Sequence, residues 1–194
     1  MEHTETMNYF ESERLLLQEL EERHVDERYL SWFQDKDVTR FLEAKNLTKQ
    51  QVIDHLRYGR DTNTYFMYAI ISRESSMHIG NLKVGPIRWK HRVSDLVTVI
   101  GDRNYWGRGL ATEAIKMGSR IAFDIHDMRK LSAGIYSENL ASIKCYTKAG
   151  WIIEASLQGE LMLNGRALDR ICVSFFNPKY FNLNEIRKLE FRHL

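Results

Sequence analysis

A glycine-rich turn near the middle of the chain has the residue types of an anion-binding loop. The apolar run before it, residues 96–100, is short and β-branched, as a buried strand is, and a helical pattern begins at Leu110. Gly107 and Gly109 lie where the strand gives way to the helix. Because glycine has no Cβ, the backbone N–H groups there can turn toward an anion at the helix N-terminus. The spacing suits a diphosphate, although such a glycine pair is also typical of a plain tight connection.

Two familiar phosphate-binding motifs do not fit this turn. A dinucleotide fingerprint needs a third glycine, but Thr112 stands three residues after Gly109. No Gly-Lys-Ser or Gly-Lys-Thr follows, which argues against a nucleotide-hydrolysing loop. The turn is therefore a candidate for a diphosphate held in another way.

A second segment with chemical potential follows about thirty residues downstream. Residues 131–136 have the pattern of a strand, and Asn139 is a good N-cap for the helical segment behind it. Gly150 is placed to end that helix in a left-handed conformation. Ser142 and Tyr146 are four residues apart, so we expect both to project from one face of the helix.

Four segments of sequence, in family order, resemble the GCN5-related N-acetyltransferases, in the branch of ribosomal-protein and small-amine acetyltransferases. The resemblance covers nearly the whole chain, and the residues that carry it are 105–114 (YWGRGLATEA), 139–146 (NLASIKCY), 149–151 (AGW) and 164–169 (NGRALD). The family's acetyl-CoA loop usually reads Gln/Arg-x-x-Gly-x-Gly/Ala. Here Asn104 stands at the first position and Arg103 precedes it, which is a departure from that pattern.

The resemblance implies that acetyl-CoA is the cosubstrate. The residues it implies for binding are Val99, Ile100, Arg103, Trp106, Gly107, Arg108, Gly109, Leu110, Ala111, Asn139, Ser142 and Tyr146. Beside a diphosphate, the guanidinium groups of Arg103 and Arg108 would add charge-assisted hydrogen bonds, whereas plain surface exposure is the alternative. Asn139 would hydrogen-bond the pantetheine arm as well as cap its helix.

Acetyl transfer to an amine sets the chemistry that the chain must supply. An aliphatic amine has a pKa near ~10, so it must lose a proton before it attacks, and the departing thiolate benefits from a proton donor. Tyr146 lies seven residues after Asn139, which is the spacing of the general-acid tyrosine in many family members. Packing is the alternative role for Tyr146, and a local backbone contact is the alternative for Ser142, the other predicted catalytic side chain on this helix.

The general base is less well marked. Some family members use a glutamate five residues before the asparagine, but this chain has Gly134 there. Close relatives among the ribosomal-protein enzymes have an acid in the segment before Asn-Gly, which makes Glu160 the predicted catalytic carboxylate. Asp169 and Asp95 are the alternatives.

The surrounding pattern predicts an α/β (α+β) architecture. We expect strands at 14–19, 65–71 and 78–84, a helix at 24–34, and a second helix that begins with a capping box at residues 48–51. The resemblance implies a GNAT fold with a mixed central sheet of about seven strands and helices on both faces. Its fourth and fifth strands splay apart to admit the pantetheine arm. We predict a single domain over residues 1–194, with a core at about 12–178 and a helical tail at 179–194.

Composition excludes several other classes of protein. The formal net charge of the 194 residues is +2, from 28 Lys and Arg against 26 Asp and Glu, which argues against nucleic acid as a partner. Two cysteines form no disulfide framework, and no metal-type spacing is present, so we expect no metal and a cytoplasmic protein. The polar N-terminus is unlike a signal peptide, and no apolar stretch approaches the ~20 residues of a membrane span.

These observations together predict an N-acetyltransferase that works by direct transfer in a ternary complex. The expected acceptor is a small-molecule amine such as an amino sugar, and a peptide N-terminus, as in ribosomal-protein acetylation, is the alternative. A non-catalytic acyl-CoA-binding sensor module is an alternative of another class. A homodimer is a further possibility, and the tail at 179–194 is one surface that could form its interface.

Overall fold

An eight-stranded mixed sheet forms the centre of the structure, a computed structural model that describes residues 9–186. The strands, in chain order, are β1 (Tyr9–Glu11), β2 (Leu15–Glu19), β3 (Phe66–Ser72), β4 (His78–Arg88), β5 (Val93–Ile100), β6 (Lys130–Tyr136), β7 (Ile152–Leu163) and β8 (Arg166–Phe176). Their order across the sheet is β1-β2-β3-β4-β5-β6-β8-β7. Every neighbouring pair is antiparallel except β5 and β6, which are parallel. The eighth strand, beyond the seven expected, is the short β1.

Helices cover both faces of the sheet, as the sequence predicts. They are α1 (Glu27–Trp32), α2 (Lys49–Thr62), α3 (Leu110–Asp124) and α4 (Leu140–Lys148). Side chains alternate between faces along a strand, and on β3 Ile70 packs in the cluster that includes α3 and α4. Its neighbours Ala69 and Ile71 pack in the cluster that includes α1 and α2. We call the α1/α2 side the front face and the α3/α4 side the back face.

Local hydrogen bonds fix the helix ends where the sequence predicts them. The Gln51 backbone N–H donates to the Thr48 hydroxyl at 3.2 Å, and the Thr48 N–H donates to the Gln51 side chain at 2.9 Å, which completes the capping box of α2. The Asn139 carboxamide oxygen accepts from the Ser142 N–H at 3.2 Å and caps α4. Gly150 follows α4 with φ +97°, the left-handed conformation predicted for it.

Some element boundaries differ from the sequence-based expectation. The helix expected at 24–34 is a 3-10 turn at Glu22–His24 followed by the shorter α1, because Asp26 caps the Tyr29 N–H at 2.8 Å and starts a new helix. The described portion of the helical tail expected at 179–194 does not form an α-helix: it contains only turns and the 3-10 turn Leu183–Glu185. Residues 187–194 lie outside the described residues. No helix within residues 9–186 is both long and apolar enough to cross a membrane.

The parallel strands β5 and β6 separate after three residue pairs. Pairing begins at Val93 with Lys130 and ends at Asp95 with Ser132. Beyond that point β5 continues along β4 as far as Ile100, whereas β6 continues along β8. The predicted splay is thus confirmed, and we call the opening between the two strands the gap.

Candidate active site

The glycine-rich loop lies at the end of β5 and leads directly into α3. After the 3-10 turn Arg103–Tyr105, Gly107 and Gly109 have φ angles of +74° and +78°. Side chains with a Cβ rarely adopt this conformation, so glycine is the residue that both positions require. The Trp106 indole N–H donates to the Ile100 carbonyl at 2.8 Å and ties the loop to the end of β5. Trp106 is nevertheless 43% exposed.

The loop presents a row of free backbone donors. The first hydrogen bond of α3 runs from the Glu113 N–H to the Gly109 carbonyl at 3.2 Å. The N–H groups of residues 107–112 have no acceptor in the part of the chain that the structure describes. A Cβ added to Gly107 would meet nothing within 4 Å, so the loop borders open space at that position. Unpaired N–H groups at the positive end of a helix dipole fit the diphosphate of a coenzyme.

Both arginines of the loop have acidic partners in this structure. The Arg103 guanidinium is 2.7 Å from Asp37 and 3.5 Å from Asp35. Arg108 lies 3.9 Å from Glu74, and its guanidinium is 5.3 Å from the centre of the Tyr105 ring. These pairs are largely exposed and therefore weak, so either guanidinium can be redirected to a phosphate at small cost. The predicted phosphate contacts of Arg103 and Arg108 stay predictions.

Arg14, which precedes β2, also holds the loop, a role that no sequence motif predicts. Its guanidinium donates to the Arg108 carbonyl at 2.8 Å and to the Glu113 carboxylate at 2.7 Å. Burial opposes ionisation of Glu113, but hydrogen bonds from Ser12 and Arg14 outweigh it and lower the pKa of that carboxyl. Glu113 is therefore ionised at neutral pH and fixes the first turn of α3. Arg14 and Glu113 are 99 positions apart, so no motif links them.

Arg14→Gln is expected to weaken acetyl-CoA binding about fivefold, because the loop loses one charge-assisted hydrogen bond to Arg108 that positions its donors. We expect kcat at saturating acetyl-CoA to stay within about twofold, since Arg14 lies away from the gap. Titration calorimetry with acetyl-CoA measures the first effect. Arg23→Gln, at an exposed arginine paired with Glu21, is the control, and equal affinities of the two variants would contradict a role of Arg14 in the loop.

Tyr146 reaches the gap from the back face. Its hydroxyl donates to the Leu96 carbonyl at 2.7 Å, one residue past the last pairing of β5 with β6. The side chain is 4% exposed and packs edge-on against Trp151 at 4.9 Å between ring centres. Burial raises the pKa of Tyr146, and the nearby Asp95 charge adds to the effect. The phenol is therefore protonated at neutral pH and is available as a proton donor.

Thr98 is a polar group in the gap that sequence reasoning missed. Its hydroxyl is buried and has no hydrogen-bond partner in the described part of the chain. The Thr98 side chain nevertheless lies close enough to the Tyr146 hydroxyl to favour its ionised form, which partly opposes the rise that burial causes in the pKa of Tyr146. A buried unsatisfied hydroxyl is uncommon in proteins and is consistent with a site that a ligand completes. Side chains alternate between the two faces along β5, and Leu96 belongs to the cluster on the back face. The same alternation puts Thr98 on that face, and this is the sequence signal that points to it.

The other predicted residues of α4 are positioned by the cap. The Asn139 side chain is partly buried and holds the first turn, so its capping role is confirmed. Ser142 is partly buried one turn before Tyr146. Contacts of Asn139 and Ser142 with a pantetheine arm stay predictions.

Several charged side chains lie near one another on the front face at the start of the gap. Asp95 is half-buried, and burial raises the pKa of its carboxyl although Arg170, Arg88 and Lys83 oppose the rise. A Cβ added to Gly134 would lie 2.0 Å from the Arg170 Nε, so a larger side chain there would require the Arg170 side chain to move. Arg170 of β8 therefore takes the space beside Gly134, where some family members have a glutamate.

The three candidate carboxylates have different surroundings. Glu160 is exposed in the irregular stretch of β7 between Leu157 and Leu161 and makes no hydrogen bond or ion pair within the described residues. The Asp169 carboxylate accepts from the Gly159 N–H at 3.0 Å and so supports that irregular stretch. Asp95 alone of the three belongs to the last residue pair of β5 and β6. The geometry thus favours Asp95 over the predicted Glu160 for a role at the gap.

Residues 9–186 contain no group of three or more His, Cys, Asp or Glu side chains placed to hold a metal ion. The two cysteines, Cys145 and Cys172, are both free.

Comparisons with known proteins agree with this geometry. A family model described as an acetyltransferase (GNAT) domain matches residues 14–152. The spermidine N(1)-acetyltransferase of Escherichia coli K12 is 30% identical over 101 residues, which cover 52% of this chain and 54% of that protein. The match thus spans about half the length of that curated relative. An uncharacterized N-acetyltransferase of Bacillus licheniformis is 25% identical over 176 residues, 87% of this chain and 96% of that protein.

Two solved structures have the same fold. The spermidine N-acetyltransferase of Vibrio cholerae, in complex with CoA and spermine, aligns with a TM-score of 0.78 at 19% identity and covers 88% of this chain and all of that one. The ribosomal-protein-S5-alanine acetyltransferase of Vibrio fischeri aligns with a TM-score of 0.77 at 17% identity, over 90% of this chain and 99% of that one.

Proposed function

The chain belongs to the GNAT family of acetyltransferases, and from this we propose that it transfers the acetyl group of acetyl-CoA directly to the primary amine of a small molecule. The observation that carries the proposal is the meeting of two candidate proton-transfer groups at one opening in the sheet. Tyr146 reaches Leu96 from the back face, and Asp95, the adjacent residue of β5, faces the front.

The residues of the loop and gap fit acetyl-CoA. The free N–H groups of residues 107–112 suit its diphosphate, and Gly107 leaves room for it. The gap between β5 and β6 leaves strand-edge groups without a strand partner, which suits an extended arm with amide groups. We propose that Val99 and Ile100 at the end of β5, with Asn139 and Ser142 at the start of α4, line this path. The buried Thr98 hydroxyl, close to Tyr146, adds a polar group to this path.

A small amine is the acceptor class that the relatives favour. Those named for an acceptor include spermidine acetyltransferases, and a protein with a ribosomal acceptor shares the fold. On the front face, the Phe41 ring of the α1–α2 connection lies 5.7 Å from the Tyr136 ring of β6 and covers part of the sheet beside the gap. Partial cover of this kind suits a small molecule better than a protein surface.

The proton balance assigns a role to each side chain. Acetyl-CoA supplies a thioester whose carbonyl carbon forms a bond to nitrogen as its bond to sulfur breaks. The acceptor arrives as an ammonium ion, and Asp95 takes one proton from it and passes that proton to solvent. Tyr146 gives a proton to the departing sulfur, and the proton that the attacking nitrogen loses restores the phenol. The products are an amide, CoA as the free thiol, and one released proton.

Asp95→Asn is expected to lower kcat/KM about tenfold and to remove the acidic limb of its pH profile. Burial raises the pKa of Asp95. The wild-type rate should therefore fall as pH drops through that raised pKa, because the base becomes protonated. Initial rates between pH 5 and 9 measure both effects. Glu160→Gln is the comparison: if that variant lost the limb and Asp95→Asn kept it, Glu160 would be the base.

Acetyl-CoA-dependent thiol release tests the proposed function. The acceptor panel comprises amino sugars and their nucleotide-linked forms, polyamines, aminoglycosides, amino acids and short peptides with free α-amines. We expect release above the rate of hydrolysis with at least one small amine. Binding of acetyl-CoA without release from any acceptor would favour the sensor module, and release from peptides alone would favour a protein N-terminus.

A further inference from the structure

Three strands each place one half-buried charged side chain on the front face beside the gap. They are Lys83 of β4, Asp95 of β5 and Arg170 of β8. No hydrogen bond or ion pair joins any of the three side chains to another group within residues 9–186. Lys83 makes a cation–π contact with Tyr65, with 5.4 Å between its Nζ and the centre of the ring.

The alternation of the strands puts the three charges on the same side. Their immediate neighbours Leu82, Leu96 and Ile171 are all fully buried in the cluster that includes α3 and α4. The side chains one position away therefore face the opposite side of the sheet. The position of Arg170 over Gly134 agrees, because Gly134 alternates with Ala133 and Ile135 of the same back cluster.

The three groups influence one another without touching. The charges of Arg170 and Lys83 act on the Asp95 carboxyl, and the Asp95 charge acts on Lys83. The side-chain nitrogens of Lys83 and Arg170 lie more than 4.0 Å from the Asp95 carboxylate oxygens, so neither cation forms an ion pair with Asp95. Half-buried charges that form no ion pair lose part of their hydration without contact to an opposite charge, which is costly unless a ligand supplies that contact.

We infer that the amine acceptor carries an anionic group, a carboxylate or a phosphate, which Lys83 and Arg170 bind while Asp95 receives the ammonium. This inference rests on the proposed acetyl transfer and names its acceptor class. A zwitterion places each of its charges beside a group of opposite sign, so it satisfies all three side chains at once. The separation of Asp95 from the two cations determines which end of the molecule enters the gap.

The wider charge balance disfavours a polyamine. Among the charged groups that act on one another around Asp95 and Lys83, three are cations (Lys83, Arg88 and Arg170) and two are carboxylates (Asp95 and Glu43). At the end of β6, Arg40 and Arg166 share the single carboxylate of Glu138. Both sets have more cations than carboxylates. An acceptor with several ammonium groups would meet like charges there, which costs binding free energy.

Matched acceptor pairs test the inference in the wild-type protein. Each pair differs only in the anion: amino acids against their carboxamides, and glucosamine 6-phosphate against glucosamine, with spermidine as a polycation. We expect kcat/KM from thiol release to be about tenfold or more higher for the anionic member in one series. The series that responds distinguishes carboxylate from phosphate. Equal or better use of the neutral members, or of spermidine, would overturn the inference.

Variants of the two cations test the assignment of residues. Lys83→Met and Arg170→Gln should each lower kcat/KM about tenfold for the anionic acceptor and about twofold or less for its neutral analogue, with acetyl-CoA affinity unchanged. Lys83→Arg should keep the preference, which separates loss of charge from misfolding. Lys116→Met and Arg120→Gln, at exposed positions of α3, are the matched controls. An equal loss for both members of a pair would overturn the assignment.

The outcomes for the two proposals are distinct. If neutral amines or spermidine gave more thiol release than zwitterions, the proposed acetyl transfer to a small amine would stand and the inference of a zwitterionic acceptor would be overturned. Acetyl-CoA binding without release from any acceptor would overturn direct transfer and the acceptor class together.

Discussion

Tyr146→Phe is expected to lower kcat about 100-fold, within the range that general acid catalysis contributes. The substitution removes the hydroxyl that reaches the Leu96 carbonyl in the gap at 2.7 Å and leaves the ring on Trp151. Without a proton donor, sulfur must leave as an unprotected thiolate. Acetyl-CoA affinity should change by about threefold or less, because the free N–H groups of the loop are untouched. Pre-steady-state thiol release and equilibrium titration measure the two quantities.

Tyr68→Phe is the matched control for the loss of a buried hydroxyl. Tyr68 lies on β3 rather than at the gap. It is 7% exposed, and its hydroxyl lies 3.0 Å from the His126 Nε2. Each variant loses one buried hydrogen bond, worth about 1 kcal/mol of the free energy of unfolding. We expect similar losses of stability but reduced turnover only in Tyr146→Phe. If both variants kept their turnover, Tyr146 would be a packing residue.

Local features of the sequence predicted much of the structure that surrounds this tyrosine. The capping box at Thr48, the cap at Asn139 and the left-handed Gly150 each depend on neighbours a few positions away. Such signals survive without tertiary information because the groups that satisfy the backbone are close in the chain. The strand-loop-helix order around Gly107 is local in the same sense. These elements were predictable for that reason.

Contacts between distant segments account for what the sequence left undetermined. The hold of Arg14 on Glu113 and on the Arg108 carbonyl requires β2 and α3 to meet. The position of Arg170 beside Gly134 depends on the register of β6 with β8, which sets Tyr136 opposite Arg170. A shift of one residue would turn Arg170 to the other face. No pattern within a single strand specifies that register.

The same reasoning explains why the proposed base differs from the one that the resemblance implies. The resemblance to the ribosomal-protein enzymes points to Glu160 by its place before Asn-Gly, a property of the chain alone. The irregular pairing of β7 with β8 between Leu157 and Leu161 leaves Glu160 exposed, whereas the last pair of β5 with β6 keeps Asp95 half-buried at the gap. Burial, which sets how strongly a carboxylate holds a proton, follows from the sheet and not from the spacing.

Gly107→Ala is expected to weaken acetyl-CoA binding about 30-fold, equivalent to about 2 kcal/mol, the scale of a lost hydrogen bond to a charged group. Gly107 has φ +74°, and a Cβ added there would enter open space beside the loop whose N–H groups at residues 107–112 are free. A methyl group there would strain the left-handed backbone and occupy room that the diphosphate needs. Equilibrium titration of acetyl-CoA measures the loss, and the variant should still bind at high cosubstrate concentration.

Gly165→Ala separates strain from obstruction. Gly165 has φ +76° and likewise nothing within 4 Å of an added Cβ, but it lies in the turn between β7 and β8. The two substitutions should therefore cost the same free energy of unfolding, about 1 to 2 kcal/mol for alanine in the left-handed region. Only Gly107→Ala should lose acetyl-CoA affinity. Equal affinities in two equally destabilised variants would mean that the open space before α3 holds no diphosphate, and the free donors of the loop would then need another anion.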